Sequence, residues 1–176
     1  MNRFGINIIF LVIGSLLFPL GCANIPEDNF SYMKNALVID IKAQNNLNTY
    51  NNRPHTILLG LFELSDPNIF NQMMEQQGSV SKILGSDVFD GNVLSRRKLV
   101  IQPGEHKQLI MDRVEGARYL GVVAGYYKLQ QDKSASRLFS VELNYTKKSI
   151  WSRVVEPKIL VELALSNDGF RKLNTD

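Results

Sequence analysis

The sequence predicts an all-β domain, a two-sheet β-sandwich with a short helical insertion. About seven short runs rich in Val, Ile, Leu and Tyr follow one another at close spacing. Only one clear segment among them has the caps and the periodicity of a helix. This combination is typical of a sandwich. The 176 residues, 44% hydrophobic and 21% charged, suffice for one globular domain with a short appendage.

The predicted strands differ in how much of their surface they bury. ALVIDIKA places Leu37, Ile39 and Ile41 on one face, the alternation of a half-buried strand. Thr56–Leu64 is almost continuously apolar, which predicts a strand buried on both faces. Two further runs flank a predicted turn at Pro103–Gly104. The last three predicted strands lie in ARYLGVVAGYYKL, RLFSVELN and PKILVELAL.

A helix is predicted in SDPNIFNQMMEQQGS. Asp66 can cap its first turn, and Pro67 fits the first helical position. Phe70, Met73 and Met74 fall on one face, and we expect this face to pack on the core rather than form a groove for a partner. A second short helical turn is expected in VSKILGSDVF.

The first 21 residues predict a secretory signal peptide. Arg3 supplies a positive charge, and the run from Phe4 to Gly21 is almost wholly apolar. The alternative is an uncleaved membrane-spanning anchor, because this run nearly reaches the ~18–20 residues that cross a bilayer. Gly14 and Pro19 interrupt the run and no basic stop-transfer cluster follows it, which favours export with cleavage.

Cys22 is the only cysteine and directly follows this apolar run. An exported protein with one cysteine cannot form an internal disulfide, and a free exposed thiol is a liability in an oxidising compartment. The PLGC sequence resembles the bacterial lipobox, although Pro19 stands where Leu is usual. The resemblance implies a cysteine that is lipidated on sulfur and becomes the mature N-terminus. Each acyl methylene then adds roughly 0.8 kcal/mol of membrane affinity. An incidental cysteine within the signal is the alternative.

Three parts are therefore expected along the chain. Residues 1–21 form a lipoprotein signal peptide, residues 22–35 the lipidated cysteine and a polar tether, and residues 36–176 a periplasmic β-sandwich domain. By resemblance to Gram-negative lipoproteins, Ala23 rather than Asp after the cysteine implies sorting to the outer membrane.

No group of residues in the sequence points to catalysis or to a metal. His55 and His106 are far apart, and Cys22 is committed upstream, so no metal-ligand set is formed. Asp87 and Asp90 could meet as a carboxylate pair, but capping a turn is the ordinary role of such residues. We therefore expect a protein that is not an enzyme, with no cofactor other than the covalent lipid on Cys22.

The charge pattern does not favour nucleic acid. The net charge of +3 comes from 20 basic and 17 acidic side chains that are scattered along the chain. The densest basic runs, Arg96–Lys98 and Lys147–Lys148, are short enough to be solvated strand ends. Trp151 is expected to pack in the core or at its rim rather than anchor an interface.

The segment Gln44–Pro54 between the first two predicted strands contains five Asn and a Pro, so a loop is expected. Leu47 and Tyr50 are expected to be apolar tips within it. An ordinary solvated loop without a binding role is the alternative.

Two longer stretches resemble the TssJ family, the outer-membrane lipoproteins of type VI secretion systems. RPHTILLGLFELSDPNIFNQMM is similar to that family's RP…V.VRLYELK…F..A.F pattern. LGSDVFDGNVLSRRKLVIQPGEHKQLIMDRVEGARYLGVVAGYY is similar to its LG.DLL…E..L.PGE…L….P.ARYLGVVAA(F/Y)R pattern. The resemblance runs from Leu37 to about Leu143, most of the mature domain, and the tail after it matches less well.

The resemblance implies a transthyretin-like β-sandwich on the periplasmic face of the outer membrane. It implies binding to the periplasmic domain of the inner-membrane component TssM and, through it, to TssL, with no nucleic acid and no small-molecule substrate. In the family the loop between the first two strands carries much of the contact. The corresponding residues here are Gln44, Asn45, Asn46, Leu47, Asn48, Thr49, Tyr50, Asn51, Asn52 and Arg53. Tyr50 is favoured, since tyrosine offers large contact area at low entropic cost. A periplasmic ligand-binding lipoprotein, with a pocket in the sandwich interior or the helix–sheet seam, is the alternative function.

Overall fold

The structure, a computed structural model, describes residues 29–76, 78–86, 91–128, 135–143 and 158–171. The predicted signal peptide, Cys22, the Asp87 and Asp90 pair and Trp151 lie outside the described residues. Within the described residues the elements are β1 Met33–Ala43, β2 Ile57–Leu64, α1 Pro67–Glu75, α2 Ser79–Gly85, β3 Val93–Ile101, β4 His106–Arg113, β5 Tyr119–Ala124, β6 Ser136–Ser140 and β7 Ile159–Leu165.

The strands form two sheets that pack face to face. In the three-stranded sheet β1 lies in the centre, antiparallel to β4 and parallel to β7. The four-stranded sheet has the order β3-β2-β5-β6 with antiparallel neighbours. Leu37, Ile39 and Ile41 of β1 are buried in one cluster with Leu59 and Leu61 of β2. The predicted two-sheet sandwich with a helical insertion is confirmed, and so is the predicted inner face of β1.

The second strand is buried on both faces from Leu59 to Leu64, as its continuous apolar sequence predicts, and only Leu58 near its start is exposed. Leu59 and Leu61 face the other sheet, whereas Phe62 and Leu64 belong to a second cluster with the helices. A strand in the interior of a sheet that is covered on both sides has no solvent-facing side, which explains the loss of alternation.

Helix α1 begins as predicted. The Asp66 carboxylate accepts a hydrogen bond from the Asn68 backbone N–H at 2.7 Å, and Pro67 is the first helical residue. Phe70 and Met74 are buried against the outer face of the four-stranded sheet, so this face packs on the core. Helix α2 is the expected second helical segment.

Two glycines allow the helices to approach the sheet closely. A Cβ at Gly60 would lie 2.7 Å from the Phe62 ring and 2.8 Å from Leu84. A Cβ at Gly121 would lie 2.7 Å from the Phe70 ring. A side chain at either position would therefore collide with the aromatic ring that packs against the glycine.

The two ends of the sandwich carry different segments. The tether end holds residues 29–32, which precede β1, and the turn 114–118, because the Gly116 N–H donates to the Phe30 carbonyl at 2.8 Å. The distal end holds the loop Gln44–Arg53, and the turn Gln102–Glu105 meets it where the Gly104 N–H donates to the Gln44 carbonyl at 3.0 Å. β1 joins the two ends over roughly 36 Å, at about 3.3 Å per residue.

Two arginines hold the Phe30 ring against the tether end. The guanidinium of Arg118 lies 5.0 Å and that of Arg113 5.6 Å from the ring centroid. Arg113 is fully buried and also donates to the carbonyls of Val141 at 3.0 Å and Ser31 at 3.2 Å. The chain is therefore fixed to the domain from Phe30 onward.

A carboxylate of β4 fixes the next residues. Asp112 accepts hydrogen bonds from the Tyr32 hydroxyl at 2.7 Å and from the Asn35 N–H at 2.8 Å. Because β1 begins at Met33, the ordered fold starts before residue 36, where the sequence placed the domain boundary. The last seven residues of the expected tether thus lie on the domain.

Candidate functional site

The loop Gln44–Arg53 ends in a tight two-residue turn. The Tyr50 N–H donates to the Arg53 carbonyl at 2.9 Å, and the Arg53 N–H donates to the Tyr50 carbonyl at 3.0 Å. Asn51 and Asn52 between them have φ values of 48° and 57°. Two consecutive left-handed residues form a type I′ turn, which favours Asn. The Asn-rich sequence thus forms a defined tip.

The base of the loop is buried. Leu47 is 0% exposed and belongs to the core between the sheets. Asn48 is 3% exposed: its amide group donates to the Thr56 carbonyl at 3.1 Å, and its amide oxygen accepts from the Tyr127 N–H at 2.8 Å. The expectation that Leu47 is an apolar tip is wrong, because burying its side chain in the core removes more apolar surface from water than a solvated loop allows.

Three rings pack together beside the turn. The rings of Tyr50 and Tyr127 are stacked, with centroids 4.9 Å apart and an interplanar angle of 11°. The His55 ring meets them edge-on, 5.4 Å from Tyr127 and 6.3 Å from Tyr50. Tyr50 is 44% exposed and Tyr127 is 55% exposed, so this aromatic cluster presents its surface to solvent. Sequence reasoning missed Tyr127, whose one signal was a second consecutive Tyr after the β5 run.

The other predicted contact residues divide into supporting and exposed groups. Gln44 supports the loop, since its N–H donates to the Leu165 carbonyl at 2.9 Å, and Thr49 does so through its N–H to the Asn167 side chain at 3.0 Å. The exposed residues of the loop are Asn45, Asn46, Tyr50, Asn51, Asn52 and Arg53. The surface available to a partner therefore consists of these exposed residues together with the rest of the aromatic cluster.

A groove of about 400 Å³ adjoins this surface, at the seam between α2 and the four-stranded sheet. It is lined by Leu58, Val80, Ser81, Leu84, Gly85, Gly125, Tyr126 and Tyr127. The hydroxyl of Tyr126 donates to the Gly169 carbonyl at 3.0 Å, and burial raises the pKa of its phenol, so it stays neutral. A mostly apolar lining of this kind suits an apolar side chain or a small apolar molecule.

The described residues contain no group of three or more His, Cys, Asp and Glu side chains that could hold a metal ion. The two histidines lie in different places. On the three-stranded sheet, Nε2 of His106 is 2.6 Å from Oδ1 of Asp40, whereas His55 belongs to the aromatic cluster. Hydrogen bonds from Lys42 and His106 lower the pKa of the Asp40 carboxyl. Across the described ranges, none of the helices has the length and apolarity needed to span a bilayer.

The model of one protein family matches residues 35–164, more than half of the chain. The family is described as "Type VI secretion lipoprotein, VasD, EvfM, TssJ, VC_A0113". The chain belongs to this family. The resemblance seen in the sequence is thereby confirmed, and the protein is a type VI secretion lipoprotein of the TssJ family.

Solved structures share the fold of this lipoprotein. TssJ1 from Pseudomonas aeruginosa is 17% identical, with 83% of this chain and 95% of that chain covered and a TM-score of 0.58. Serratia marcescens Lip is described as a membrane bound component of the Type VI Secretion System. It is 18% identical, with 83% of this chain and 99% of that chain covered and a TM-score of 0.62. A further match is a chain of the structure described as "T6SS protein TssM C-terminal domain (869-1107) from EAEC". It is 17% identical, with 79% of this chain and 98% of that chain covered and a TM-score of 0.60. No curated protein matches the chain.

Proposed function

We propose that this lipoprotein is a structural adaptor that holds the periplasmic domain of TssM, and through it TssL, at the outer membrane. Its membership in a family of type VI secretion lipoproteins supports this role. So does the chain of the same fold in the structure that is described as the TssM C-terminal domain. The role is geometric and requires no catalysis. Acyl chains on Cys22, after removal of residues 1–21, supply the membrane attachment.

The observation that carries the proposal is the separation of the two ends of the sandwich. Phe30 is clamped at the tether end, and the loop Gln44–Arg53 lies at the other end of β1. The eight residue-to-residue steps from Cys22 to Phe30 span at most about 29 Å when fully extended. A membrane anchor at Cys22 therefore leaves the loop on the side of the domain that is farthest from the attachment point.

The distal surface is suited to binding because it is ordered before a partner arrives. Asn48 and Leu47 hold the base of the loop, the type I′ turn fixes the tip, and the Tyr50 ring is stacked on Tyr127. Prearranged aromatic side chains lose little entropy on binding and are frequent energetic centres of interfaces.

Replacing the ring at the tip tests the assigned contact. Tyr50→Ala should weaken binding of the TssM periplasmic domain by about tenfold or more, equivalent to about 1.4 kcal/mol. Isothermal titration calorimetry gives the affinity. Tyr32→Ala is the matched control, because Tyr32 is a similarly exposed tyrosine at the tether end. Equal affinities of wild type and Tyr50→Ala would show that the loop is not the contact.

A second experiment tests the anchor. Wild-type protein should incorporate a labelled fatty acid, sediment with outer membranes and retain TssM in a pull-down. Cys22→Ser should lose the label and leave the membrane, because the thiol that carries the lipid is gone. A wild-type chain that carries no lipid and stays in the soluble fraction would contradict the anchor.

The groove beside α2 favours a second candidate, a ligand-binding lipoprotein. Its volume of about 400 Å³ lies in the usual range for small-molecule sites. Native mass spectrometry of the purified protein distinguishes the two. A small molecule that copurifies, and is lost from Leu84→Trp, favours ligand binding, whereas a mass that matches the protein alone favours the adaptor.

A further inference from the structure

An apolar row crosses the outer face of the three-stranded sheet. Val38 of β1 pairs with Ile110 of β4 on one side and with Leu160 of β7 on the other. Ile110 is 48% exposed and Leu160 is 62% exposed, with Val38 half-buried between them. A sheet face that meets water normally carries polar residues, so three aligned aliphatic side chains require a partner surface or an explanation.

Two acidic groups of this face lie on the distal side of the row. Two residues farther along β1, Asp40 pairs with Gln108 and with Glu162. Glu162 is exposed, and Asp40 accepts hydrogen bonds from Lys42 and His106. This half of the face carries the polar character that is expected of a solvated sheet.

The tether side of the row has a different character. Tyr32 is 55% exposed, and the exposed Lys34 and Lys158 flank the row along β1 and β7. Among the described residues of these strands on the tether side, the carboxylate of Asp112 is engaged by the Tyr32 hydroxyl and the Asn35 N–H. Aliphatic groups, a tyrosine and lysines thus lie together next to the point where the chain leaves the domain.

We propose that the apolar row, with Tyr32, lies against the phospholipid surface in which Cys22 is anchored. This inference rests on the lipid anchor of the proposed function and adds the face that the domain turns toward the bilayer. Aliphatic side chains enter the interfacial region, tyrosine settles at the headgroup level, and lysines attract anionic headgroups. The row Ile110–Val38–Leu160 and its two flanking lysines supply these groups.

The tether explains why lipid rather than a protein is the occupant. The seven residue-to-residue steps from Cys22 to Asn29 span at most about 25 Å, so the anchor keeps the tether end close to the membrane surface. Even weak affinity of the row is then sufficient, because the surface is present at a high effective concentration. The contact tilts the domain and directs the four-stranded sheet with its helices away from the bilayer.

A single-thiol label tests the contact in the full-length, acylated protein. Because the Cys22 thiol is acylated in this protein, Leu160→Cys provides the one thiol for a bimane label. The labelled protein is reconstituted in vesicles of phosphatidylethanolamine and phosphatidylglycerol that carry nitroxide lipids. Val100→Cys is the matched control, since Val100 is a strand residue that is 59% exposed on the other sheet.

The expected result is strong quenching of the label at residue 160 by nitroxide lipid, with loss of quenching by aqueous iodide. The label at residue 100 should show the reverse. Adding Ile110→Asp should restore iodide quenching at residue 160, because a carboxylate opposes transfer into the interface. Thermal unfolding of this exposed-site variant confirms that the domain is folded.

Two outcomes would overturn the inference. Equal quenching at residues 160 and 100, in protein that floats with the vesicles, refutes the lipid contact and leaves the anchor intact. Protection from iodide without quenching by nitroxide lipid, together with a cross-linked dimer, assigns the row to a second copy of the chain. Failure of the acylated protein to float with vesicles refutes the anchor itself, and the proposed function with it.

Discussion

The ring of Tyr50 stacks on the ring of Tyr127 at a centroid distance of 4.9 Å. The first belongs to the loop between β1 and β2 and the second to the segment after β5, so the stack joins these two segments at the distal end. Asn48 makes a second connection at the same place through the Tyr127 N–H. The exposed surface that we assign to partner binding is therefore part of the fold and not an appendage to it.

A double-mutant cycle should detect this connection. Tyr50→Ala and Tyr127→Ala should each destabilise the protein, and their effects should be coupled by about 0.5–1.5 kcal/mol, the usual range for an aromatic pair. Urea unfolding of the four proteins gives the free energies. Tyr32→Ala with Tyr127→Ala is the control pair and should be additive. Additive effects for Tyr50 and Tyr127 would show that the stack contributes nothing to stability.

The turn at the tip should be sensitive to side-chain shape at Asn51. Asn51→Val should cost about 1–2 kcal/mol, because a β-branched residue is disfavoured at the positive φ of this position. Asn51→Gly should keep or raise the melting temperature. Asn46→Val serves as the control, since Asn46 is exposed in the same loop and lies outside the turn. An unchanged melting temperature for Asn51→Val would contradict the assigned turn.

The packing of α1 on the four-stranded sheet should depend on the absence of a side chain at Gly121. Gly121→Ala should destabilise by about 1–3 kcal/mol, because its Cβ would meet the Phe70 ring at 2.7 Å and overpack the seam. Gly85→Ala is a matched control, as a Cβ there meets nothing within 4 Å. Adding Phe70→Leu to Gly121→Ala should recover part of the loss. Equal thermal stability of the two alanine variants would argue against close packing of α1.

Stability should fall with rising pH through the titration of Glu63. This carboxyl is 1% exposed, and burial raises its pKa even though it accepts a hydrogen bond from the Val114 N–H at 2.9 Å. The folded state then holds the proton to higher pH than the unfolded state. Between the unfolded pKa, about 4.3, and the raised folded pKa, the free energy of unfolding therefore decreases as pH rises.

Glu63→Gln should remove the pH-dependent contribution of this carboxyl to stability. The amide oxygen of the glutamine can still accept the hydrogen bond from the Val114 N–H. The variant should gain stability relative to wild type as the pH is raised from 4 toward neutrality, measured by urea unfolding at each pH. Glu115→Gln is the control, since it removes an exposed carboxylate instead of a buried one. A constant difference between Glu63→Gln and wild type at all pH values would contradict the assignment.

Local patterns predicted the elements that local forces determine. Alternation of Leu37, Ile39 and Ile41 identified the inner face of β1, and Asp66 before Pro67 identified the start of α1. The pairing of β1 with β7 could not be predicted in this way, because it joins residues more than a hundred positions apart in the chain. The alternation of apolar and polar residues indicates that a strand exists, but it does not indicate which strand lies beside it.

The candidate site was only partly accessible from the sequence for the same reason. Tyr50 was identified from its own loop, but Tyr127 reaches it only after β5 has paired with β2. Leu47 appeared exposed because its sequence neighbours are polar, while its actual neighbours are core residues. Nothing in the local sequence marks Arg113 as buried, since the ring and carbonyls that surround it come from distant segments.

The course of β1 gives the domain a direction for mechanical load. This strand starts at the clamped tether end, ends at the loop and is hydrogen-bonded to β4 on one edge and β7 on the other. Under the proposed function, a pull between Cys22 and a partner at the loop is applied at the two ends of β1, so the extended backbone of this one strand carries the tension. The ladders to β4 and β7 hold this strand in place on both edges while it carries the load. A central strand placed in this way suits the adaptor role that we propose.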